Sequence, residues 1–332
     1  MKKLLATTAL VSVMAAPVLA ETKIAGSLET TFADKETPAT GQKVSSGAAL
    51  GHETKFEFVS TKELNNGWSS KLDMEVMEVA GTVADTEVTI SNGAGLSLYI
   101  SKDGGSFHDW TVVPGAYNAR PADNAGNDSA TMDANTIHGV NNFGVGYKTD
   151  FGTIGLRYAP DHQASNTAGD KATGAGGGSG HEYGFKGSLG VDGLSVGISR
   201  AIKQNEQTSG KDDAKSTHYG VAYNMGQFAF GVERTTFSDK SNSDNDTGTT
   251  TNDVDYTLYG VTFAASDNVT LGLNYAVTDE ESKASDEETT QLEVAYNLGG
   301  ATLAFAHQQT ENNAGTAGCD GDAWTITYKQ SF

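Results

Sequence analysis

From about residue 22 onward the chain alternates apolar and polar side chains in segments of roughly ten residues, a period of two. Val269, Leu271, Leu273, Tyr275 and Val277 alternate with Thr270, Gly272, Asn274 and Ala276. Leu194, Val196 and Ile198 alternate with Ser195, Gly197 and Ser199, and Trp324, Ile326 and Tyr328 with Thr325, Thr327 and Lys329. Period two sends the two sets to opposite faces of a strand, whereas helical periodicity is almost absent. The pattern predicts sixteen strands, near 22–33, 51–61, 67–79, 83–91, 95–101, 138–149, 152–160, 181–190, 192–202, 217–225, 227–237, 255–265, 268–279, 289–297, 300–310 and 322–332.

The polar set decides what the apolar set faces. In a soluble sandwich the apolar faces meet in a dry core of large branched residues. Here large apolar residues are modest in number, and the alternate positions are Gly, Ser, Thr, Asn, Lys and Glu. A barrel with its greasy face on lipid and its polar face on a wet lumen fits better. Aromatic residues at segment ends, such as Trp68, Tyr99, Tyr147, Tyr223, Tyr296 and Trp324, suit the two interfacial girdles of such a barrel.

The connections alternate in length. Glu63–Gly67, Ser91–Ala94, Thr149–Gly152, Asn224–Gly226, Ala265–Asn268 and Asn297–Gly300 read as tight hairpin turns. Between them lie longer polar segments near 34–50, 102–137, 161–180, 203–216, 238–254, 280–288 and 311–321. Short turns at one end and long loops at the other are the asymmetry of outer-membrane barrels, whose turns are periplasmic and loops external. An even strand number puts both termini at the short-turn end.

The first twenty residues stand apart. Lys2 and Lys3 precede an apolar stretch from Leu4 to Leu19, which ends in Val18-Leu19-Ala20 before the polar Glu21. That is the layout of a cleaved signal peptide, residues 1–20, leaving 21–332 as one barrel domain. Losing the two lysines moves the formal charge from −20 to −22. So acidic a chain is a poor partner for nucleic acid, whose phosphates need Lys and Arg, and a good neighbour for cations. The lone Cys319 has no partner for an internal disulfide.

Together these features resemble the general diffusion porins of Gram-negative bacteria, particularly the sixteen-stranded alphaproteobacterial type. The likeness is carried by the leader, the opening strand Lys23-Ile24-Ala25-Gly26-Ser27-Leu28-Glu29, the alternating connections and the last strand, Trp324 to Phe332. A C-terminal Phe332 on an amphipathic strand is similar to the signal read by the barrel-assembly machinery. The resemblance implies a homotrimer in the outer membrane, among lipid and lipopolysaccharide, passing small polar solutes and ions without any catalytic step. It also implies that the loop after the fifth strand, residues 102–137, folds into the lumen and narrows it. That loop carries Asp103, Asp109, Arg120, Asp123, Asp128 and Asp133. Wall residues to face it are Glu29, Lys55, Glu57, Lys71, Asp73, Glu75, Lys148, Arg157 and Lys186. The family sets an arginine-rich wall against an acidic loop, but this chain has only Arg120, Arg157, Arg200 and Arg234. A more uniformly negative pore follows, and with it a preference for cations, because fixed charge in a narrow pore biases which ions enter.

Other motifs yield less. Gly174–Gly180 is glycine-rich but lacks the Gly-Lys-Ser/Thr ending of a phosphate loop. Asp239–Asp255 places Ser243, Asn245 and Thr247 where an EF-hand needs acidic ligands, so that match fails. Weak Ca2+ or Mg2+ binding at such acidic loops, bridging to lipopolysaccharide phosphates, is the expectation that the motif supports. No cofactor or dedicated metal site is expected, since the seven histidines show no zinc spacing. The alternatives are a substrate-specific outer-membrane channel and, from another class, a surface β-sandwich adhesin. A barrel enzyme is disfavoured, because no nucleophile and base converge in the sequence.

Overall fold

In the computed structural model of the chain, the described residues are 20–39, 42–64, 67–77, 83–102, 105–108, 111–118, 141–160, 178–204, 213–238 and 253–332. They form sixteen strands. These are β1 (Ala20–Ala39), β2 (Gln42–Glu63), β3 (Ser69–Met77), β4 (Val83–Ser91), β5 (Leu96–Lys102), β6 (Asn142–Thr149), β7 (Gly152–Ala159) and β8 (Gly180–Gly187). There follow β9 (Leu194–Lys203), β10 (Ala214–Met225), β11 (Phe228–Ser238), β12 (Val254–Ala264), β13 (Val269–Glu280), β14 (Glu287–Asn297), β15 (Ala301–Glu311) and β16 (Gly321–Ser331). Each strand pairs antiparallel with its neighbours, and β1 pairs with β16, so the sheet closes into a barrel. Closure pairs the strands all the way round, the condition under which a sheet can sit in lipid.

Alternation along each strand separates two faces. Leu273 and Ile198 point outward and are about half exposed, at 49% and 53%. Their alternates, such as Asn274 and Ser199, point inward and are buried. The tight turns form as their Asn and Gly content requires: Asn92 Oδ1 accepts the N–H groups of Ala94 and Leu96, and Gly93 takes φ 68°.

One connection differs from expectation. The polar stretch 34–50 is strand-paired, with Asp34 opposite Ala48 and Ala39 opposite Gln42, and a register shift between Lys35 and Glu36. Its Ser, Gly and Lys content reads as loop, yet β1 and β2 satisfy one another's backbone throughout this reach. β2 pairs with β3 only from Lys55, and β1 pairs with β16 only as far as Lys35, so Glu36–Ala39 and Gln42–Ser45 extend beyond their neighbours as a two-stranded ribbon. The connections near 280–288 and 311–321 shorten to 281–286 and 312–320 as the strands run on, the latter holding a 3-10 turn at Asn313–Gly315. Residues 1–19 and 161–177, 205–212 and 239–252 lie outside the described residues, and with them all of the expected leader but Ala20 and most of those three loops.

Candidate pore constriction

The register fixes what the lumen sees. Ser101 pairs with Asn142, Gly144 with Arg157, Arg157 with Glu182, Gly220 with Glu233, and Gly272 with Glu293. All of these lie on the inward face. The segment after β5 lies against this wall. Gly105 takes φ 73°, and a Cβ there would strike the Arg157 guanidinium, so a glycine is needed at the point where the chain turns inward.

Three glutamates then hold the segment at regular intervals. Glu182 on β8 accepts the Ser106 hydroxyl at 2.8 Å and the Phe107 N–H at 3.1 Å. Glu233 on β11 accepts the Thr111 hydroxyl at 2.7 Å and the Val112 N–H at 3.0 Å. Glu293 on β14 accepts the N–H groups of Ala116, Tyr117 and Asn118 at 3.0–3.2 Å. The anchors recur every five residues along the loop and every third strand along the wall. Three strand spacings are about 14 Å, and five extended residues reach at most about 17 Å. The described parts of the segment can therefore meet each carboxylate in turn. Each buried carboxylate is satisfied by N–H or O–H donors, as a buried charge requires.

Between the anchors several inward wall positions are glycine. Phe107 covers Gly155, Val112 covers Gly220, Val113 and Pro114 cover Gly260, and Ala116 covers Gly272. Val113 joins Phe237, Val254, Tyr256, Leu258 and Ala276 in a buried apolar cluster inside the lumen. His108 is buried, with Nε2 2.6 Å from the Ser216 hydroxyl and Nδ1 3.0 Å from that of Ser199. Burial and, after it, the charge of Glu29 hold the Tyr117 hydroxyl above its ordinary pKa.

The loop residues expected at the narrowing, Asp103, Asp109, Arg120, Asp123, Asp128 and Asp133, all lie outside the described residues. The nine expected wall residues all fall on the inward face by register. Most are ion-paired: Lys55 with Glu75, Lys71 with Asp73 at 2.6 Å, and Glu29 with Lys329 at 3.0 Å. Lys186 donates to the Thr111 carbonyl at 3.2 Å, Lys148 lies beside the β6–β7 turn, and Glu57 stands opposite Glu75. Arg157 is 3% exposed. Its guanidinium donates to Glu87 at 2.7 Å, Ser101 at 2.8 Å and Asn142 at 2.9 Å, and lies over the Tyr99 and Phe107 rings. It is thus a pillar under the loop and not an open charge on the pore.

Sequence reasoning passed over Glu53, Glu87, Glu182, Glu233, Glu293 and Lys329. The available signal was a glutamate flanked by apolar residues inside a strand, as in Leu292-Glu293-Val294. From β16 through β1 to β4 the inward face carries Glu21, Glu29, Glu53, Glu57, Glu63, Asp73, Glu75 and Glu87 against Lys23, Lys35, Lys55, Lys71 and Lys329, with Arg157 reaching Glu87 from β7. Acid exceeds base there. Among the described residues no cluster of three or more His, Cys, Asp or Glu side chains could hold a metal ion. At the seam, Gly26 and Phe332 exchange both backbone hydrogen bonds at 2.9 Å, and the Phe332 ring lies edge-on to Phe56.

The Gram-negative porin family matches residues 6–329, and the chain belongs to it. No curated protein sequence matches the chain. Solved structures share its fold at low identity. The Vibrio cholerae outer-membrane protein OmpT, lacking its loop L8, aligns at TM-score 0.66 and 15% identity over 95% of this chain and 100% of that one. An anion-selective porin from Comamonas acidovorans aligns at 0.61 and 15%, over 94% and 100%. Salmonella typhi OmpF in complex with daunomycin aligns at 0.64 and 11%, over 94% and 97%. Family and fold mark the chain as an outer-membrane diffusion channel and not an enzyme.

Proposed function

We propose that the chain is a general, passive pore for small hydrophilic solutes and ions, with a preference for cations. The observation that carries this reading is the excess of carboxylates on the inward face from β16 to β4. Mobile cations enter a negatively lined, narrow pore more readily than anions do. The selectivity of the Comamonas porin belongs to that protein's own lining. Trimer assembly is part of the proposal, since one solved form of the Vibrio OmpT is a trimer. So are removal of residues 1–20, a role for Phe332 as the assembly signal, and weak divalent binding at the acidic external loops, bridging to lipopolysaccharide.

Liposome swelling with sugars of increasing size tests the general character of the pore. A smooth fall of rate with size is expected. A fast rate for one sugar, out of line with its size, would favour the substrate-specific channel instead.

A further inference from the structure

His108, on the segment that crosses the lumen, plugs into the wall between the first two glutamate anchors. Its ring is buried and reaches two buried hydroxyls, Ser199 on β9 and Ser216 on β10. The tautomer follows from counting protons. Ser199 Oγ has one proton, which it donates to the His108 carbonyl at 3.2 Å, so it accepts from the ring Nδ1 at 3.0 Å. Nε2 then carries the lone pair, which accepts the Ser216 hydroxyl at 2.6 Å. The wall is thus complementary to a neutral imidazole. A proton on Nε2 would turn that acceptor into a second donor, aimed at a hydroxyl whose own proton must then find another acceptor.

The charges around the ring offer no compensating excess of acid. Among the described residues, the inward face presents Glu182 and Lys186 on β8, Lys203 on β9, His218 on β10 and Glu233 on β11. Arg157 on β7 lies against the ring of the neighbouring Phe107. Both glutamates already accept N–H and O–H groups of the segment itself. The buried His218 stands edge-on to His108 with ring centroids 6.4 Å apart, its Nδ1 2.9 Å from the Thr235 hydroxyl. A second imidazolium there would repel the first.

We infer that His108 is an acid-released latch on the constriction segment. The docked ring is neutral, whereas a ring released into the lumen takes up a proton at the ordinary histidine pKa of about 6.5. The released state binds more protons, so falling pH favours it. Between about pH 7.5 and about pH 5.5 the ratio of released to docked segment rises about tenfold, while carboxylates with ordinary values of about 4 stay charged. Release frees the segment between Glu182 and Glu233 to move in the passage.

Single-channel recordings of the full chain in planar bilayers test this, at constant KCl, with pH lowered on both sides from about 7.5 to about 5.5. The frequency of wild-type current transitions is expected to rise about tenfold over that range. His108→Gln keeps a neutral side chain that hydrogen-bonds, and its frequency should stay flat. Ser216→Ala takes away the donor to Nε2 and should move the rise to higher pH, which a merely structural role for His108 would not do. A flat wild-type profile, a rise that persists in His108→Gln, or a rise at the wild-type pH in Ser216→Ala would each overturn the inference.

Discussion

The carboxylate of Glu293 on β14 accepts the backbone N–H of Tyr117 at 3.0 Å, across 176 residues of chain. The same group holds the N–H of Ala116 and of Asn118, and Gln291 donates to it at 3.0 Å. One inward side chain thus fixes three consecutive peptide groups of the segment that crosses the lumen.

Removing that acceptor should loosen the segment without opening the barrel. Glu293→Ala leaves three N–H groups to water, a loss of about 1–3 kcal/mol in docking. Single-channel recordings are expected to show greater open-channel noise and an altered mean conductance. Glu293→Gln keeps one carbonyl acceptor and should change less. Noise in Glu293→Ala equal to the wild type would mean that the segment is held elsewhere.

The bare wall beneath the segment makes a second, steric prediction. A Cβ at Gly260 would lie 2.6 Å from the Pro114 carbonyl oxygen, a backbone atom that cannot swing aside. Gly260→Ala should therefore displace the segment or lower stability by about 1–3 kcal/mol, the usual range for overpacking. Gly51 is the control, since a Cβ there first meets an atom at 3.7 Å. Thermal unfolding in detergent, followed by loss of the fast-migrating folded band, compares the two. A Gly51→Ala protein as unstable as Gly260→Ala would show that the wall glycines have no special role.

Arg157 and Glu87 form a pair at 2.7 Å, and the arginine side chain is only 4% exposed. Replacing one partner leaves the other without its counter-ion. Arg157→Met should destabilise by about 3 kcal/mol, the low end for a broken buried pair because Glu87 keeps some access to water. The double change with Glu87→Gln should recover part of that loss, so the cycle would show a coupling of about 1 kcal/mol or more. Additive effects would mean that the pairing contributes nothing beyond packing on Tyr99 and Phe107.

The strands were legible because their signal is local. Alternation at period two marks β13 near 268–279, where the strand runs Val269–Glu280, and repeated along the chain it yields the number sixteen, since each strand must present one face to lipid and one to water. The 34–50 ribbon was not legible, because polar composition reads as loop unless both paired edges are known. The site was legible only in part. Inward-facing charges such as Lys71 and Asp73 follow from alternation, but their pairing does not. The burial of Arg157 on β7 depends on Glu87 on β4, three strands away in the barrel. Glu182, Glu233 and Glu293 lie far apart in sequence, and only barrel closure and register align them under one crossing segment.

The central claim is an aqueous lumen whose wall from β16 to β4 carries more acid than base. The reversal potential of the purified channel in a planar bilayer, under a tenfold KCl gradient, tests it most directly. The account expects a potential of the sign that shows K+ to be more permeant than Cl−, shrinking as salt is raised and the wall charges are screened. A potential of the opposite sign would contradict it.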